Sequence, residues 1–260
     1  MRRIFKIGFL VVLALCVLAP WSYARDTVRI GTEGAYPPFN YIDQEGNLKG
    51  FDIEIANALC EAADLKCEFV TQSWDGMIPG LMAKKYDAII ASMSITEERQ
   101  KKVDFTDKYY QTPARFVKPK DANIEISKEG LKDKTVGVQR ATVSANFIRD
   151  NFGDVLNIKA YATQEEANMD IVSGRVDLLF ADAVVLLKGF LDTEDGQDYE
   201  FVGPGYTDEE WFGEGIGIAV RKGDDNLRKK LNKAIDTIRE DGTYKEINDK
   251  YFDFDVYGTE

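Results

Sequence analysis

Short strand-like segments alternate along the chain with longer segments whose apolar residues have helical spacing. The apolar run at 88–93 predicts a short buried strand, and strands are also predicted at 28–32 and 67–71. Residues 52–63 carry apolar side chains at helical spacing, and a second helix is predicted over 74–84. Strands that alternate with helices are typical of parallel sheets covered on both faces. The pattern therefore predicts an α/β fold.

A faint internal repeat indicates that the chain builds one kind of unit twice. The segment KYDAIIAS at 85–92 aligns with RVDLLFAD at 175–182, and each follows a helix-like segment. The run TVGV at 135–138 and the loop after it likewise resemble the first strand and its loop. Ligands of open α/β sheets bind beyond the carboxyl ends of strands, so Ser92 and Asp182 are expected at equivalent places. This duplication predicts two lobes on either side of a cleft.

Two segments predict where the chain crosses between these lobes. The first is YQTP at 110–113, and the return crossing is FVGPG at 201–205. The strand predicted at 216–220 and the helices predicted at 226–240 and 244–251 are expected to rejoin the first lobe. The predicted division places 25–112 and 206–260 in the first lobe and 113–205 in the second.

Arg99 lies in the first turn of a predicted helix whose N-cap is Thr96. Because a helix N-terminus carries about half a positive charge, a cation there is unfavourable unless an anion lies opposite it. Hydroxyl groups such as that of Ser94 stand nearby, and a guanidinium suits two parallel hydrogen bonds to a carboxylate. We interpret this stretch as a carboxylate site. The alternative is an ordinary ion pair of Arg99 with Glu97 or Glu98 on an exposed helix face.

Residues 1–24 have the pattern of an export signal. Basic residues at positions 2, 3 and 6 precede an apolar run at 7–18, and small residues follow at 22 and 24. This pattern predicts a cleaved signal peptide and a periplasmic location, with a lipid anchor on Cys16 as the less favoured alternative. No later segment approaches the ~20 apolar residues that a transmembrane helix needs.

The rest of the chain is acidic. Residues 1–24 carry three of the 33 basic residues and none of the 45 acidic ones, so the remainder has a net charge of −15. An acidic surface repels phosphate backbones and anionic lipid head groups, which argues against binding to nucleic acid or to a membrane surface. It suits a cationic small ligand only weakly, because most surface charge serves solubility.

Cysteine and histidine usage narrows the chemistry further. With Cys16 in the predicted signal, Cys60 and Cys67 remain as an even pair in an exported chain, which predicts a disulfide. Such a small closed loop contributes about 2 to 3 kcal/mol of stability. The chain contains no histidine, which removes the commonest general base and the usual zinc ligand. No metal, cofactor or catalytic residue is therefore predicted.

With these residues identified, the chain resembles the periplasmic solute-binding proteins of polar amino-acid ABC transporters, most of all the lysine/arginine/ornithine-binding group. The resemblance covers nearly all of the chain after residue 24 and depends on the joint order of several motifs. These motifs are GTEGAYPPF, GFDIEIANALC, KKYDAIIASMSITEER, TVGVQRATVSANF, GRVDLLFADAV, GPGYTDEEWFGEGIGIAVRKGD and YFDFDVYG. The resemblance implies a two-lobed periplasmic-binding-protein fold of type II, in which each lobe is a central sheet flanked by helices and two crossing strands form the hinge.

The resemblance also implies a ligand site of ten residues in the cleft. Arg99 is expected to bind the ligand α-carboxylate, helped by Ser94 and by the helix start at Thr142. Asp182 and Ser92 are expected to bind the α-ammonium group. The full set is Glu33, Tyr36, Asp52, Trp74, Ser92, Met93, Ser94, Arg99, Thr142 and Asp182.

The far end of the ligand is assigned in the same way. Glu33 is expected to bind the distal positive charge, with Asp52 as a nearby second acid. Tyr36 and Trp74 are expected to enclose the aliphatic stem. Structural alternatives remain open at this point, because Asp52 and Thr142 are also good helix N-caps and the two aromatic residues could be ordinary core residues.

Two departures from the family pattern leave the side-chain preference open. Ala91 and Val143 lack hydroxyl groups that some relatives carry at these places. The loop after residue 139 reads Arg140-Ala141-Thr142 rather than a Gly-Ser-Thr type. Carboxylate contacts on the second lobe are therefore expected to depend on main-chain N–H groups.

The function implied by the resemblance is that of a monomeric, extracytoplasmic solute-binding component of an ABC importer. It would bind a cationic L-amino acid and deliver it to a membrane permease by hinge closure. Arginine is favoured over ornithine and lysine, because Trp74 offers a flat face on which a guanidinium can stack. Histidine or an opine-like arginine conjugate is the alternative ligand. A cyclohexadienyl dehydratase-like enzyme on the same fold is the alternative outside the binding class.

Overall fold

The computed structural model describes residues 25–258, so the predicted export signal at 1–24 and Cys16 lie outside the described residues. The described residues form thirteen strands and nine α-helices. The strands are β1 (Asp26–Thr32), β2 (Ala35–Tyr36), β3 (Asn40–Ile42), β4 (Leu48–Lys49), β5 (Leu65–Thr71), β6 (Ala88–Ile89), β7 (Val103–Tyr110), β8 (Ala114–Pro119), β9 (Thr135–Gln139), β10 (Asn157–Tyr161), β11 (Leu178–Asp182), β12 (Tyr199–Tyr206) and β13 (Ile216–Arg221). The helices are α1 (Phe51–Ala62), α2 (Met77–Met82), α3 (Glu97–Gln100), α4 (Val143–Phe152), α5 (Gln164–Val172), α6 (Ala183–Leu186), α7 (Glu209–Phe212), α8 (Asp225–Glu240) and α9 (Thr243–Tyr251).

Two five-stranded sheets share one topology, which confirms the predicted α/β fold with two lobes. The first sheet has the order β5-β1-β6-β13-β7 and the second has the order β10-β9-β11-β8-β12. In each sheet three strands are parallel, and the last two in the order run antiparallel to their neighbours. The sheets are thus mixed rather than wholly parallel. We call the first sheet with its helices lobe 1 and the second lobe 2.

Helices cover both faces of each sheet, as the alternation of strands and helices predicted. In lobe 1, α1, α8 and α9 pack over one face and α2 over the other. In lobe 2, α4 packs over one face and α5 over the other. A small sheet of β2, β3 and β4 follows β1. This burial holds the carboxyl ends of β1, β9 and β11 in fixed places.

The predicted strand over 88–93 is shorter in the structure. Strand β6 ends at Ile89, because the chain then leaves the sheet and Ser92 adopts a left-handed conformation with φ of +54°. A left-handed backbone at a residue other than glycine persists only where the surrounding structure holds it. The carboxyl end of the apolar run therefore forms a turn rather than a strand.

The two crossings between the lobes differ in how well the sequence predicted them. Strand β7 ends at Tyr110 and β8 begins at Ala114, so the first crossing lies at 111–113, as expected. The return crossing predicted at 201–205 is wrong, because these residues lie in β12: Phe201 and Val202 pair with β8, and the pairing resumes at Tyr206 after a register shift.

The chain stays in lobe 2 beyond residue 205. Helix α7 packs against α4, and the partly buried Trp211 and Phe212 pack against the lobe 2 core beside Phe147. The return to lobe 1 follows at 213–215, just before β13, where Gly213 and Gly215 take positive φ values of 75° and 123°. The predicted boundary at 205/206 is therefore too early. The physical reason is that two large aromatic residues bury part of their apolar surface against lobe 2.

Two further expectations are confirmed at element ends. Cys60 near the end of α1 and Cys67 in β5 form a disulfide with their Cα atoms 5.9 Å apart. Helix α8 ends at Glu240, and Gly242 in the left-handed conformation separates it from α9. No helix within 25–258 combines the length and apolar character that crossing a membrane requires.

Candidate ligand-binding site

A narrow cavity, with about 60 Å³ of space for the centres of water-sized molecules, lies between the two lobes at the carboxyl ends of their strands. Eight of the ten predicted residues line the cavity, and they come from both lobes. They are Glu33, Tyr36, Trp74, Ser92, Ser94, Arg99, Thr142 and Asp182.

Arg99 reaches the cavity without an anionic partner. Its Nη1 donates to the carbonyl oxygen of Ser94 at 3.0 Å, and its guanidinium carbon lies 5.3 Å from the centre of the Trp74 ring. It forms no ion pair with any described residue, and Glu98 instead pairs with Lys102 at 3.6 Å. The exposed ion pair that the sequence left open is therefore absent. Burial lowers the pKa of Arg99 to about 10, so the guanidinium stays charged at neutral pH.

The start of α4 faces the same cavity. Thr142 is its N-cap: the hydroxyl oxygen accepts from the Ala145 N–H at 3.1 Å and the hydroxyl donates to the Gln139 carbonyl at 2.8 Å. The hydroxyl of Thr142 is thus used within the protein. Val143 and Ser144 in the first turn line the cavity, where helix N–H groups favour an anion. Main-chain donors rather than the Thr142 side chain are therefore available to a carboxylate.

Asp182 lies at the end of β11 and is held by three hydrogen bonds. Its Oδ1 accepts from the backbone N–H groups of Val184 at 2.8 Å and Val185 at 3.1 Å, so it is the N-cap of α6. Its Oδ2 accepts a hydrogen bond from the hydroxyl of Thr112. Burial raises the pKa of Asp182 to about 6. No cation among the described residues pairs with this carboxylate.

Glu33 occupies the loop after β1, which is the equivalent in lobe 1 of the loop after β9. Its Oε1 accepts from Nε2 of Gln139, across the cleft, at 2.6 Å. Burial raises the pKa of Glu33 to about 7, although the Gln139 hydrogen bond lowers it in part. Within 25–258 no basic side chain forms an ion pair with Glu33. A cation arriving beside it would therefore be stabilised by a poorly solvated carboxylate.

Asp52 lies behind the cavity rather than in its wall. It is fully buried, with Oδ1 accepting from the Tyr109 hydroxyl at 2.7 Å. Its Oδ2 accepts from Asn40 at 2.8 Å and from the Ser92 hydroxyl at 3.0 Å. The N-cap of α1 is Gly50, so Asp52 has neither of the two roles that the sequence suggested. It orients Ser92, and burial raises its pKa to about 6.

Met93 is also absent from the cavity wall. Its side chain is 1% exposed and packs in the core of lobe 1 with Met77 and Trp74. Ser92 and Ser94 line the cavity, whereas the side chain of Met93 between them is in the core. The contact predicted for Met93 is therefore wrong for its side chain.

The two predicted aromatic walls lie at the cavity as expected. Trp74 is mostly buried, and its Nε1 donates across the cleft to the carbonyl oxygen of Ala141 at 3.0 Å. Tyr36 is partly buried and stacks on Phe39 with ring centres 6.5 Å apart. Their contact with an aliphatic stem stays a prediction. One face of Trp74 is already near Arg99, which limits the ring surface left for a ligand.

Several cavity residues escaped the sequence analysis. Thr112 comes from the first crossing, and Gln139 and Ser144 flank the start of α4. Gln139 is 3% exposed and also donates to the Ala162 carbonyl at 3.1 Å. The available signal was position, because Gln139 is the last residue of a buried strand whose carboxyl end was expected at the cleft.

Comparisons with known proteins agree with this architecture. The family model of the bacterial extracellular solute-binding proteins, family 3, matches residues 28–254. The L-arginine-binding protein of Pseudomonas aeruginosa is 50% identical over 256 residues, which cover 98% of this chain and 99% of that protein. The lysine/arginine/ornithine-binding periplasmic protein of Escherichia coli K12 is 39% identical over 255 residues, 95% of this chain and 98% of that protein.

A solved structure is similar over the same length. It is a Salmonella typhimurium periplasmic binding protein described for high arginine specificity, with a TM-score of 0.81 and 32% identity. The alignment covers 87% of this chain and 99% of that one. Sequence, fold and the cleft between two lobes together show that the chain belongs to the bacterial extracellular solute-binding proteins of family 3.

Proposed function

We propose that this protein is the solute-binding component of an amino-acid ABC importer and that its ligand is a cationic L-amino acid, with arginine preferred. The observation that carries the proposal is the pattern of buried charges without counter-ions. Arg99 stands on one side of the cavity, and Asp182 and Glu33 stand elsewhere in its wall. An α-carboxylate, an α-ammonium and a distal cation would each meet a charge of opposite sign.

The energies are sufficient for tight binding. A hydrogen bond to a charged group contributes about 1.5 to 3 kcal/mol. With three charges and more than one hydrogen bond to each, the total free energy exceeds the cost of association. The protein could therefore bind with an affinity of about micromolar or better. A neutral side chain would leave Glu33 buried and unpaired, so the acid discriminates as well as binds.

The two lobes contribute different parts of this pattern. Lobe 1 supplies Glu33, Trp74 and Arg99, while lobe 2 supplies the start of α4 and Asp182. All the ligand contacts exist together only when the lobes are closed, so a ligand that makes them shifts the population towards the closed state. A membrane permease that recognises the closed state would then receive only loaded protein.

The relatives support this proposal through the ligands in their names, which are arginine for one and lysine, arginine and ornithine for another. Their family is extracellular, which supports a location outside the cytoplasm. We also propose that residues 1–24 are a cleaved signal peptide and that the protein is a monomer.

The direct test is a titration of the purified protein with arginine, ornithine, lysine, histidine and glutamine by calorimetry. We expect arginine to bind most tightly and glutamine at least about tenfold more weakly, because glutamine has no distal charge for Glu33. Equal affinities for arginine and glutamine would remove the proposed role of the distal acid.

A second candidate function is proton-transfer chemistry of the cyclohexadienyl dehydratase kind. The observation in its favour is that burial raises the pKa of Glu33 to about 7, which suits a general acid or base near neutral pH. The binding proteins among the relatives favour retention of a ligand instead. Incubation with prephenate or arogenate tests this, and we expect no product above a reaction without protein.

A further inference from the structure

The amide of Gln139 has a fixed orientation at the cleft. Its Nε2 lies 2.6 Å from Oε1 of Glu33 and 3.1 Å from the carbonyl oxygen of Ala162. A carboxylate and a carbonyl oxygen both accept hydrogen bonds, so the atom between them must be the nitrogen. Both hydrogens of the amide are therefore used.

The amide oxygen is left over. Oε1 of Gln139 accepts no hydrogen bond from any residue within 25–258. The atom is also not one of the fully buried polar atoms without a partner, so part of its surface is accessible. Gln139 lines the cavity although its side chain is only 3% exposed. The uncommitted acceptor thus stands beside the cavity, next to the Glu33 carboxylate to which the same amide is bonded.

This pair of acceptors favours one kind of cation. A guanidinium is planar and presents five N–H donors in a rigid fork, so one edge can bond to a carboxylate while a further N–H in the same plane reaches a second acceptor. An ammonium group is a compact, strongly hydrated charge with three donors, and it gains most of its stabilisation from the carboxylate alone. A second acceptor fixed beside Glu33 therefore adds more to a guanidinium than to an ammonium.

We propose that Gln139 is a specificity-determining residue, whose amide oxygen accepts a hydrogen bond from the ligand guanidinium and so favours arginine over lysine and ornithine. The proposal rests on the proposed function, because it takes Glu33 as the partner of the distal charge. It adds a contact from lobe 2 to the end of the ligand that the sequence assigned to lobe 1 alone. Arginine would thereby hold the two lobes together at its side chain as well as at its α-groups.

The test is the substitution Gln139→Leu, with arginine and lysine titrated separately into wild type and variant. The hydrogen bond from Gln139 to Glu33 is lost for both ligands, so its contribution cancels in the ratio of the two affinities. The lost acceptor affects mainly arginine. We expect the preference for arginine over lysine to fall about tenfold, as one hydrogen bond to a charged group predicts.

The controls separate this inference from folding and from the proposed function. Gln197→Leu removes an exposed glutamine of the same lobe, and we expect it to leave the ratio unchanged. If Gln139→Leu lowers the melting temperature of the ligand-free protein so far that titration fails, Gln139→Met repeats the comparison with a flexible apolar side chain.

Three results are informative. A fall in the arginine preference supports the proposal. Equal losses for arginine and lysine would overturn the role of Gln139 and leave the proposed function standing. Wild-type protein that binds neither ligand would overturn both.

Discussion

Burial in the cleft shifts the pKa of each charged residue towards its uncharged form, because the protein supplies no counter-ion there. The pKa of Arg99 falls to about 10, and those of Glu33 and Asp182 rise to about 7 and about 6. Charges elsewhere in the chain behave differently. Asp87, for example, is bonded to Arg29 and Arg221, which hold its pKa below the usual range despite partial burial. A raised pKa therefore marks a buried acid without a counter-ion, and it is found for Asp52 behind the cavity as well as for the acids in its wall.

Glu33→Gln tests the charge of the distal acid at almost constant shape. We expect arginine affinity to fall by about 10- to 100-fold, since a charge-assisted hydrogen bond is replaced by a neutral one. Glutamine affinity should change by no more than about threefold, because glutamine brings no cation. Calorimetry with both ligands measures the difference. Glu45→Gln, at an exposed position in the loop before β4, serves as the control, and equal losses for both ligands would contradict the prediction.

The raised pKa values predict proton release on binding. At pH 6 to 7 the closed, ligand-free cleft holds Glu33 and Asp182 partly protonated, whereas a bound cation favours their ionised forms. Arginine affinity should therefore fall as the pH decreases from 8 to 5.5, through the pKa values of both acids. Titrations in buffers of different ionisation enthalpy measure the released protons. In Glu33→Gln the release near pH 7 should disappear, and unchanged release would exclude Glu33 as its source.

At the scale of elements, two helix starts prepare the site. Thr142 is the N-cap of α4 and Asp182 is the N-cap of α6. Both predicted binding residues therefore lie where a helix begins after a strand. Asp182 is thus the N-cap of α6 at the position where the contact with the ligand α-ammonium is proposed. For Thr142 the cap uses the hydroxyl, so the proposed carboxylate contact would come from main-chain N–H groups of the first turn.

Thr142→Val removes the cap and keeps the side-chain shape. We expect a loss of about 0.5 to 2 kcal/mol in the free energy of unfolding, as for other N-cap losses. Ligand affinity should also fall, because the first turn of α4 is less well ordered. Denaturant unfolding and calorimetry measure the two effects. Thr142→Ser keeps the hydroxyl and should restore both, and its failure to do so would point to the lost methyl group instead.

At the scale of the whole molecule, contacts outside the ligand also join the lobes. Arg140 of lobe 2 pairs with Asp75 of lobe 1 at 2.8 Å, and Trp74 donates to the carbonyl of Ala141 at 3.0 Å. Because these contacts cross the cleft, separation of the lobes would break them, and neither contact involves the ligand. They stabilise closure by a fixed amount for every ligand.

Asp75→Asn weakens closure without changing the cavity wall. An exposed ion pair contributes about 0.2 to 1 kcal/mol, so the affinities for arginine and lysine should both fall by up to about fivefold, in the same proportion. The loss should shrink at high salt, which already screens the pair. Asp154→Asn breaks an ion pair with Lys128 inside lobe 2 and should leave binding unchanged. A change in the ratio of the two affinities would contradict a pure closure effect.

The sequence by itself determined the fold class, the first crossing and the residues with unusual chemistry. Apolar periodicity identifies strands and helices because burial of one face depends on local spacing. Arg99 was identifiable since a cation in the first turn of a helix is electrostatically unfavourable without an anion. The disulfide followed from an even pair of cysteines in an exported chain.

Only the tertiary structure decided how those residues share the space of the cleft. Asp52 is an acid and Met93 lies between two predicted site residues, so both were predicted to bind the ligand. Their side chains are instead buried in the interior. Gln139 was missed because its partner Glu33 is 106 positions away in the chain. The return crossing lies later than predicted because the aromatic residues after the expected hinge pack against the core of lobe 2. Side-chain direction and contacts between distant segments depend on packing of the whole chain, and local spacing carries no information about them.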